Sequence, residues 1–133
     1  MEKKEQMQFI TDNFSAKDSF KNIRNYLAGR FVGATRDDAL LHELIKFIFC
    51  RFHIYSRGVQ IDEEDELSLA KTYRGVFSDI KEEFTEIFDA KEEILLDPGS
   101  ISFLHSELKD MDLLDLERDP IGDAYEVFTS SSI

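Results

Sequence analysis

The chain has 133 residues and a formal net charge of −12, with 42% hydrophobic residues, twelve Phe and one Cys. That is too apolar for a disordered acidic tail and long enough for one domain with a sizeable core. A single Cys excludes an internal disulfide and fits a reducing cytoplasm; no apolar run approaches the ~18 residues of a membrane span, and Met1-Glu-Lys-Lys-Glu-Gln6 lacks the apolar stretch of a signal peptide.

Taken in chain order, residues 1–14 read as a polar N-terminal arm with anchors at Phe9, Ile10 and Phe14. Ser15-Ala-Lys-Asp18 has the form of a helix-capping motif, and Phe20, Ile23 and Leu27 follow at helical spacing, with Gly29 or Gly33 as the stop. Thr35 or Asp37 caps the next helix, whose main stripe is Leu41, Leu44, Ile45, Ile48, Phe52 and Tyr55. Leu40, Phe47 and Phe49 widen its apolar surface, so it is expected at the centre, packed on more than one side, and ended by Arg57-Gly58. The cluster Asp62-Glu-Glu-Asp-Glu66 precedes a third helix, where acid side chains offset the helix dipole; it lacks the glycine and the ligand alternation of a calcium loop. Tyr73, Phe77, Ile80, Phe84, Ile87 and Phe88 form a core stripe. Ile94-Leu-Leu-Asp97 ends at the turn pair Pro98-Gly99, and Ser100 is expected to cap a fourth helix with Ile101, Leu104, Leu108 and Met111 on one face. Asp119 and Pro120 suit the cap and first turn of a last helix, with Ile121, Ala124, Tyr125 and Phe128 as its apolar face. Few glycines and prolines and short connections predict an all-α fold, a single domain of about five helices in an orthogonal or irregular bundle. Its expected core includes Phe20, Leu27, Leu44, Ile48, Phe52, Phe77, Ile80, Phe84 and Leu104.

Charge is unevenly distributed. Residues 17–57 carry eight Lys/Arg and four Asp/Glu, whereas residues 58–133 carry six and twenty-one. The first segment can meet a phosphate backbone and the second repels one, unless both are simply solvated helix faces. His42, His53 and His105 are too scattered for a metal motif, and Cys50 sits in the apolar run Phe47-Ile-Phe-Cys50-Arg-Phe52, where a buried, inert thiol is expected. Glycine-rich phosphate loops and nucleophile elbows are absent. No catalytic, cofactor-binding or metal-binding residue is assigned.

The terminal run Asp119-Pro-Ile-Gly122-Asp-Ala-Tyr-Glu126 resembles the Asp-x-x-Gly-(Asp/Glu)-Ala-(Tyr/Phe)-Glu helix of the N-6 adenine DNA methyltransferases, in particular the modification subunits of type I restriction–modification systems. Asn25-Tyr-Leu-Ala-Gly29 and Asp38–Phe52 resemble that family's first helical pair, and Val76–Phe84 with Ile94–Asp97 the segment before the Asp-x-x-Gly run, so the likeness spans roughly residues 20–132. It implies an N-terminal arm (1–14), a helical N-terminal domain (15–118) and the start of a helix (119–133) leading to a methyltransferase domain. The family's adenine-binding Asn/Asp-Pro-Pro-Tyr/Phe motif and its cofactor strand do not occur in the chain, so the fragment itself is expected to be inactive, with S-adenosylmethionine a cofactor of the full-length protein only; the end at Ile133 is expected to reflect a truncated piece or a split gene product.

The resemblance implies a cytoplasmic, non-membrane domain that packs beside its own methyltransferase domain, helps enclose DNA, and meets a specificity subunit and possibly a restriction subunit. Candidate phosphate contacts are then Arg24, Arg30, Arg36, Lys46, Arg51 and Arg57, with Arg30 and Arg36 flanking the Gly33 loop. Tyr125 and Phe128 are candidates for packing between domains. Two alternatives stand beside this reading: a stand-alone helical protein-interaction module, and an acidic DNA mimic, for which a +4 segment is superfluous.

Overall fold

The computed structural model describes residues 17–30, 37–111 and 119–130. Among them are five helices and no strand: α1 (residues 17–30), α2 (Asp37–Arg57), α3 (Glu66–Glu83), α4 (Pro98–Leu108) and α5 (Pro120–Ser130). The all-α expectation holds. The Ser15 and Thr35 caps, the Gly33 stop and the 1–14 arm lie outside the described residues.

α2 is the centre. Eleven of its 21 residues are buried, because apolar side chains occupy most of its circumference. α3 and α5 pack against α2, and α4 packs against α3. α1 buries Phe20, Ile23 and Leu27 completely and stacks Tyr26 on Phe103 of α4 at 4.1 Å between ring centroids. Gly58, at φ 62°, ends α2 in the left-handed conformation that glycine adopts without strain, and the Val59 amide closes back on the Ile54 carbonyl.

Helix starts follow a repeated device. Asp65 accepts from the Ser68 amide at the head of α3, and Asp97 accepts from the Ser100 amide ahead of Pro98 in α4. The expected Ser100 cap is therefore replaced by Asp97, and Pro98 opens the helix instead of ending a turn. The same Asp-Pro pairing opens α5, where Asp119 accepts from the Gly122 amide at 2.9 Å. A Cβ on Gly122 would crowd that carboxylate where it stands and make the side chain shift.

Of the expected core, Phe20, Leu27, Leu44, Ile48, Phe77, Ile80 and Leu104 are buried, Phe52 is partly buried and Phe84 is 36% exposed. The Phe84 expectation fails because α3 stops at Glu83; the Phe84 amide caps the Ile80 carbonyl and the chain leaves helical geometry. The aromatic stripe is thus broken. Phe88 turns back into the core edge-on to Phe49 and Phe77, while Ile87 faces outward. Tyr55, expected on the buried stripe of α2, is also exposed.

Ile48 has no exposed surface. Ile48→Ala is expected to lower unfolding free energy by about 2–5 kcal/mol, whereas Tyr55→Ala should change it by about 0.5 kcal/mol or less. Urea titrations of both variants check the assignment.

Candidate functional site

The expected row of phosphate-contacting cations separates into different environments. Lys46 and Arg51 are buried, at 2% and 7% exposure. A cation in apolar surroundings carries a heavy desolvation cost that pairing and hydrogen bonds offset; Lys46 has a carboxylate partner, whereas Arg51 is held among the described residues by neutral acceptors. Lys46 donates to the Glu43 carboxylate at 2.6 Å and to the Glu93 carbonyl at 2.8 Å, with its ammonium 5.8 Å from the centre of the Phe77 ring. Arg51 donates to the Tyr73 hydroxyl at 3.2 Å and to the Lys109 carbonyl at 3.0 Å. The reading of these two side chains as phosphate contacts is corrected: they face the interior and hold it together.

The remaining candidates stay at or near the surface. Arg24 is half-buried and donates to the Asn25 side chain. Arg30 forks onto Asp97, with Nε and Nη2 donating at 3.1 and 2.5 Å. Arg57, in the last turn of α2, pairs with Glu83. Arg36 lies outside the described residues. No cluster of unpaired cations is assembled from Arg24, Arg30 and Arg57.

The residues between α3 and α4 form a non-helical strap pinned by side chains from three helices. From α2, Glu43 accepts the Leu95 and Leu96 amides at 2.6 and 3.2 Å, Lys46 takes the Glu93 carbonyl, and His42 meets the Glu92 carboxylate. From α3, Arg74 donates to the Leu96 carbonyl and Lys81 to the Glu92 carbonyl, each at 3.0 Å. From α1, Arg30 holds Asp97. Burial alone would raise the Asp97 carboxyl, but hydrogen bonds from Arg30 and Ser100 outweigh it and bring the pKa down to about 2. Asp97 is thus ionised at neutral pH, both as a cap and as an ion-pair partner.

A second network, buried at Tyr73, Arg51 and His105 and open to solvent at Glu63, joins α2, α3 and α4. The Tyr73 hydroxyl, fully buried, lies 2.7 Å from His105 Nδ1, and His105 Nε2 lies 2.5 Å from Glu63. With Arg51 donating to the tyrosine oxygen, the hydroxyl can donate to Nδ1 and the neutral ring can donate from Nε2 to the carboxylate. The hydroxyl, both ring nitrogens and the carboxylate are then paired, while Arg51 Nε is left buried without a partner among the described residues. Burial lowers the His105 pKa and Arg51 and Lys109 add to that, against an opposing pull from Glu63. Burial raises the Tyr73 pKa. Carboxylate, imidazole and hydroxyl make an acid–base set by residue type, but a hydroxyl with no accessible surface cannot meet a substrate, so the set is structural. Burial likewise raises the Cys50 thiol, keeping it protonated and inert as its apolar setting suggests.

These networks were partly legible. Glu43 stands three residues before Lys46 within an apolar helix, a spacing that pairs charges on one face. His105 lies between Leu104 and Leu108 on the buried face of α4. Nothing local in the sequence announces that Glu63 or Tyr73 completes the second network.

On α5 the expected apolar face is rotated. Ala124, Val127 and Phe128 are buried, Ile121 partly so, and Tyr125 is 51% exposed. Phe128 therefore belongs to this domain's own core, which corrects its assignment to an interdomain contact, whereas Tyr125 faces outward. Among the described residues no group of three His, Cys, Asp or Glu side chains is placed to hold a metal, and no helix is long and apolar enough to cross a membrane. Comparison with protein-family models, with curated proteins and with solved structures finds no match.

Two outcomes follow from the buried groups. Lys46→Met leaves Glu43 buried without its cation and is expected to cost about 3–5 kcal/mol in urea unfolding. His105 has a folded-state pKa below its unfolded value of ~6.5, so below that pH the unfolded chain takes up a proton the native ring resists. Its stabilisation is present above about pH 6.5 and is lost as the pH falls through the folded pKa. The urea midpoint of the native chain is expected to drop between about pH 7 and pH 5 more steeply than that of His105→Gln; equal slopes would contradict the assignment.

Proposed function

We propose that this chain is the N-terminal helical domain of an S-adenosylmethionine-dependent adenine-N6 DNA methyltransferase of the kind that serves type I restriction–modification, acting in assembly and DNA engagement and not in methyl transfer itself. The observation that carries the proposal is that the five segments resembling that family belong to one packed unit. Asn25–Gly29 lies in α1, Asp38–Phe52 in α2, and Val76–Phe84 in α3 and its cap. The Ile94–Asp97 strap is hydrogen-bonded to α1, α2 and α3 through Arg30, Glu43 and Arg74. The Asp119-x-x-Gly122 run folds as a capped helix whose inner face packs on α2.

The geometry favours the assembly part of this role. Arg30 and Arg57 already have carboxylate partners, and Lys46 and Arg51 are internal, so few cations are left to release counterions from DNA. Tyr125 supplies an exposed ring on the terminal helix, suited to pack against whatever the chain leads into. A specificity subunit, a restriction subunit and S-adenosylmethionine enter this reading as partners of the whole enzyme.

Extension of the coding sequence past Ile133 tests the proposal. The frame is expected to run into a cofactor strand and an Asn/Asp-Pro-Pro-Tyr/Phe motif, and the longer polypeptide to transfer labelled methyl groups to adenine in duplex DNA. Tyr125→Ala is expected to lower the thermal midpoint of that polypeptide while leaving the 133-residue chain unchanged. A frame without those motifs, or a longer polypeptide that methylates no adenine, would replace this reading with a stand-alone helical interaction module.

A further inference from the structure

The strap and α3 enclose a cleft of about 210 Å3 lined by Arg74, Phe77, Ser78, Lys81, Glu93 and Ile94. Its construction follows from helical spacing. Arg74, Ser78 and Lys81 stand at i, i+4 and i+7 on one side of α3, and Phe77 and Ile94 supply buried apolar surface. Arg74 donates to the Leu96 carbonyl and Lys81 to the Glu92 carbonyl, so the two cations are held apart by the strap they fasten. Each uses one donor in this way; the others have no partner among the described residues, and neither does the Ser78 hydroxyl. Two cations, a hydroxyl and an apolar floor thus converge on one small space.

We propose that this cleft binds a small organic monoanion: a carboxylate on a short apolar stem. The charge sets the valence. Arg74 and Lys81 contribute two positive charges and Glu93 one negative, so a carboxylate balances the site while a phosphate dianion overcharges it. Size sets the stem, because the cleft is smaller than the ~300–1,000 Å3 of sites that take drug-sized ligands and admits a branched chain of a few carbons but not a nucleotide. Arg74 holds the carboxylate, Lys81 and Ser78 supply further donors, and the stem rests on Phe77 and Ile94. Occupancy ties α3 to the strap from the outside, as Lys46 and Glu43 tie α2 to it from the inside. This proposal is independent of the methyltransferase reading.

The test is a titration of the full 133-residue chain with 3-methylbutanoate, followed in amide 1H–15N spectra. Saturable shifts are expected at residues 74–81 and 93–96. The neutral isostere 3-methylbutanamide and inorganic phosphate should each bind at least about tenfold more weakly. Lys81→Met should lose about tenfold for the carboxylate, and Glu93→Gln should bind it more tightly and begin to admit phosphate. An acetylated dipeptide ending in leucine separates the two sources of such a group: tighter binding than the free acid marks a polypeptide C-terminus, and weaker binding marks a free metabolite-sized acid. Equal shifts for acid and amide in the native chain, shifts scattered over the surface, or a preference for phosphate would overturn the proposal without recourse to any variant.

Discussion

A buried carboxylate–ammonium pair on the central helix is the interaction on which the rest of this structure depends. Glu43 and Lys46 lie one turn apart on α2, at 6% and 2% exposure. Between them they take two amides and a carbonyl of the strap, at Leu95, Leu96 and Glu93. A non-helical segment lying on a core must satisfy its backbone polar groups somewhere, since each one left unpaired is costly. Strand or helix pairing would do this with main chain alone. Here two charged side chains do it, and their own desolvation is offset by each other and by the same backbone groups. Arg74 and Lys81 repeat the arrangement from α3, and Arg30 extends it to α1. With the strap fixed, Asp97 is positioned to cap α4, and α4 brings His105 to Tyr73.

The same chemistry explains why the basic segment of the chain does not form a basic surface. Counted along the sequence, residues 17–57 carry an excess of positive charge. In the fold, two of those cations are interior, and Lys17, Arg30 and Arg57 face Glu126, Asp97 and Glu83. Exposed pairs of this kind add little to stability, but each carboxylate offsets the pull of its cation on a distant phosphate. Under the methyltransferase proposal, such a domain would act through packing more than through charge, and Tyr125 is the ring that faces outward for it.

How much of this was legible in the sequence depended on whether a signal was local. Helix identity, the centrality of α2 and the stop at Gly58 followed from spacing and from the backbone freedom of one glycine. The Asp119-Pro120 opening of α5 is legible as a helix start; Asp97-Pro98 carries the same signal, but the glycine after it also fits a turn. Phe84 and Ile87 continued a helical stripe on paper, and nothing local marks the loss of helix after Glu83. Lys46 and Arg51 are the instructive cases. A helix apolar on nearly every side buries its polar residues along with the rest, so the breadth of the apolar surface of α2 was itself the sign that its cations point inward. The Glu63–His105–Tyr73–Arg51 network joins residues up to 54 positions apart and could be read only from the fold.

The claim that buried charges make the strap an integral part of the core is tested most directly by amide hydrogen exchange at Leu95 and Leu96. In the native chain both amides are predicted to exchange only through near-global unfolding, with protection close to that of α2. Exchange at rates near those of an unstructured peptide, while α2 remains protected, would show that the strap opens independently and that Glu43 and Lys46 do not hold it.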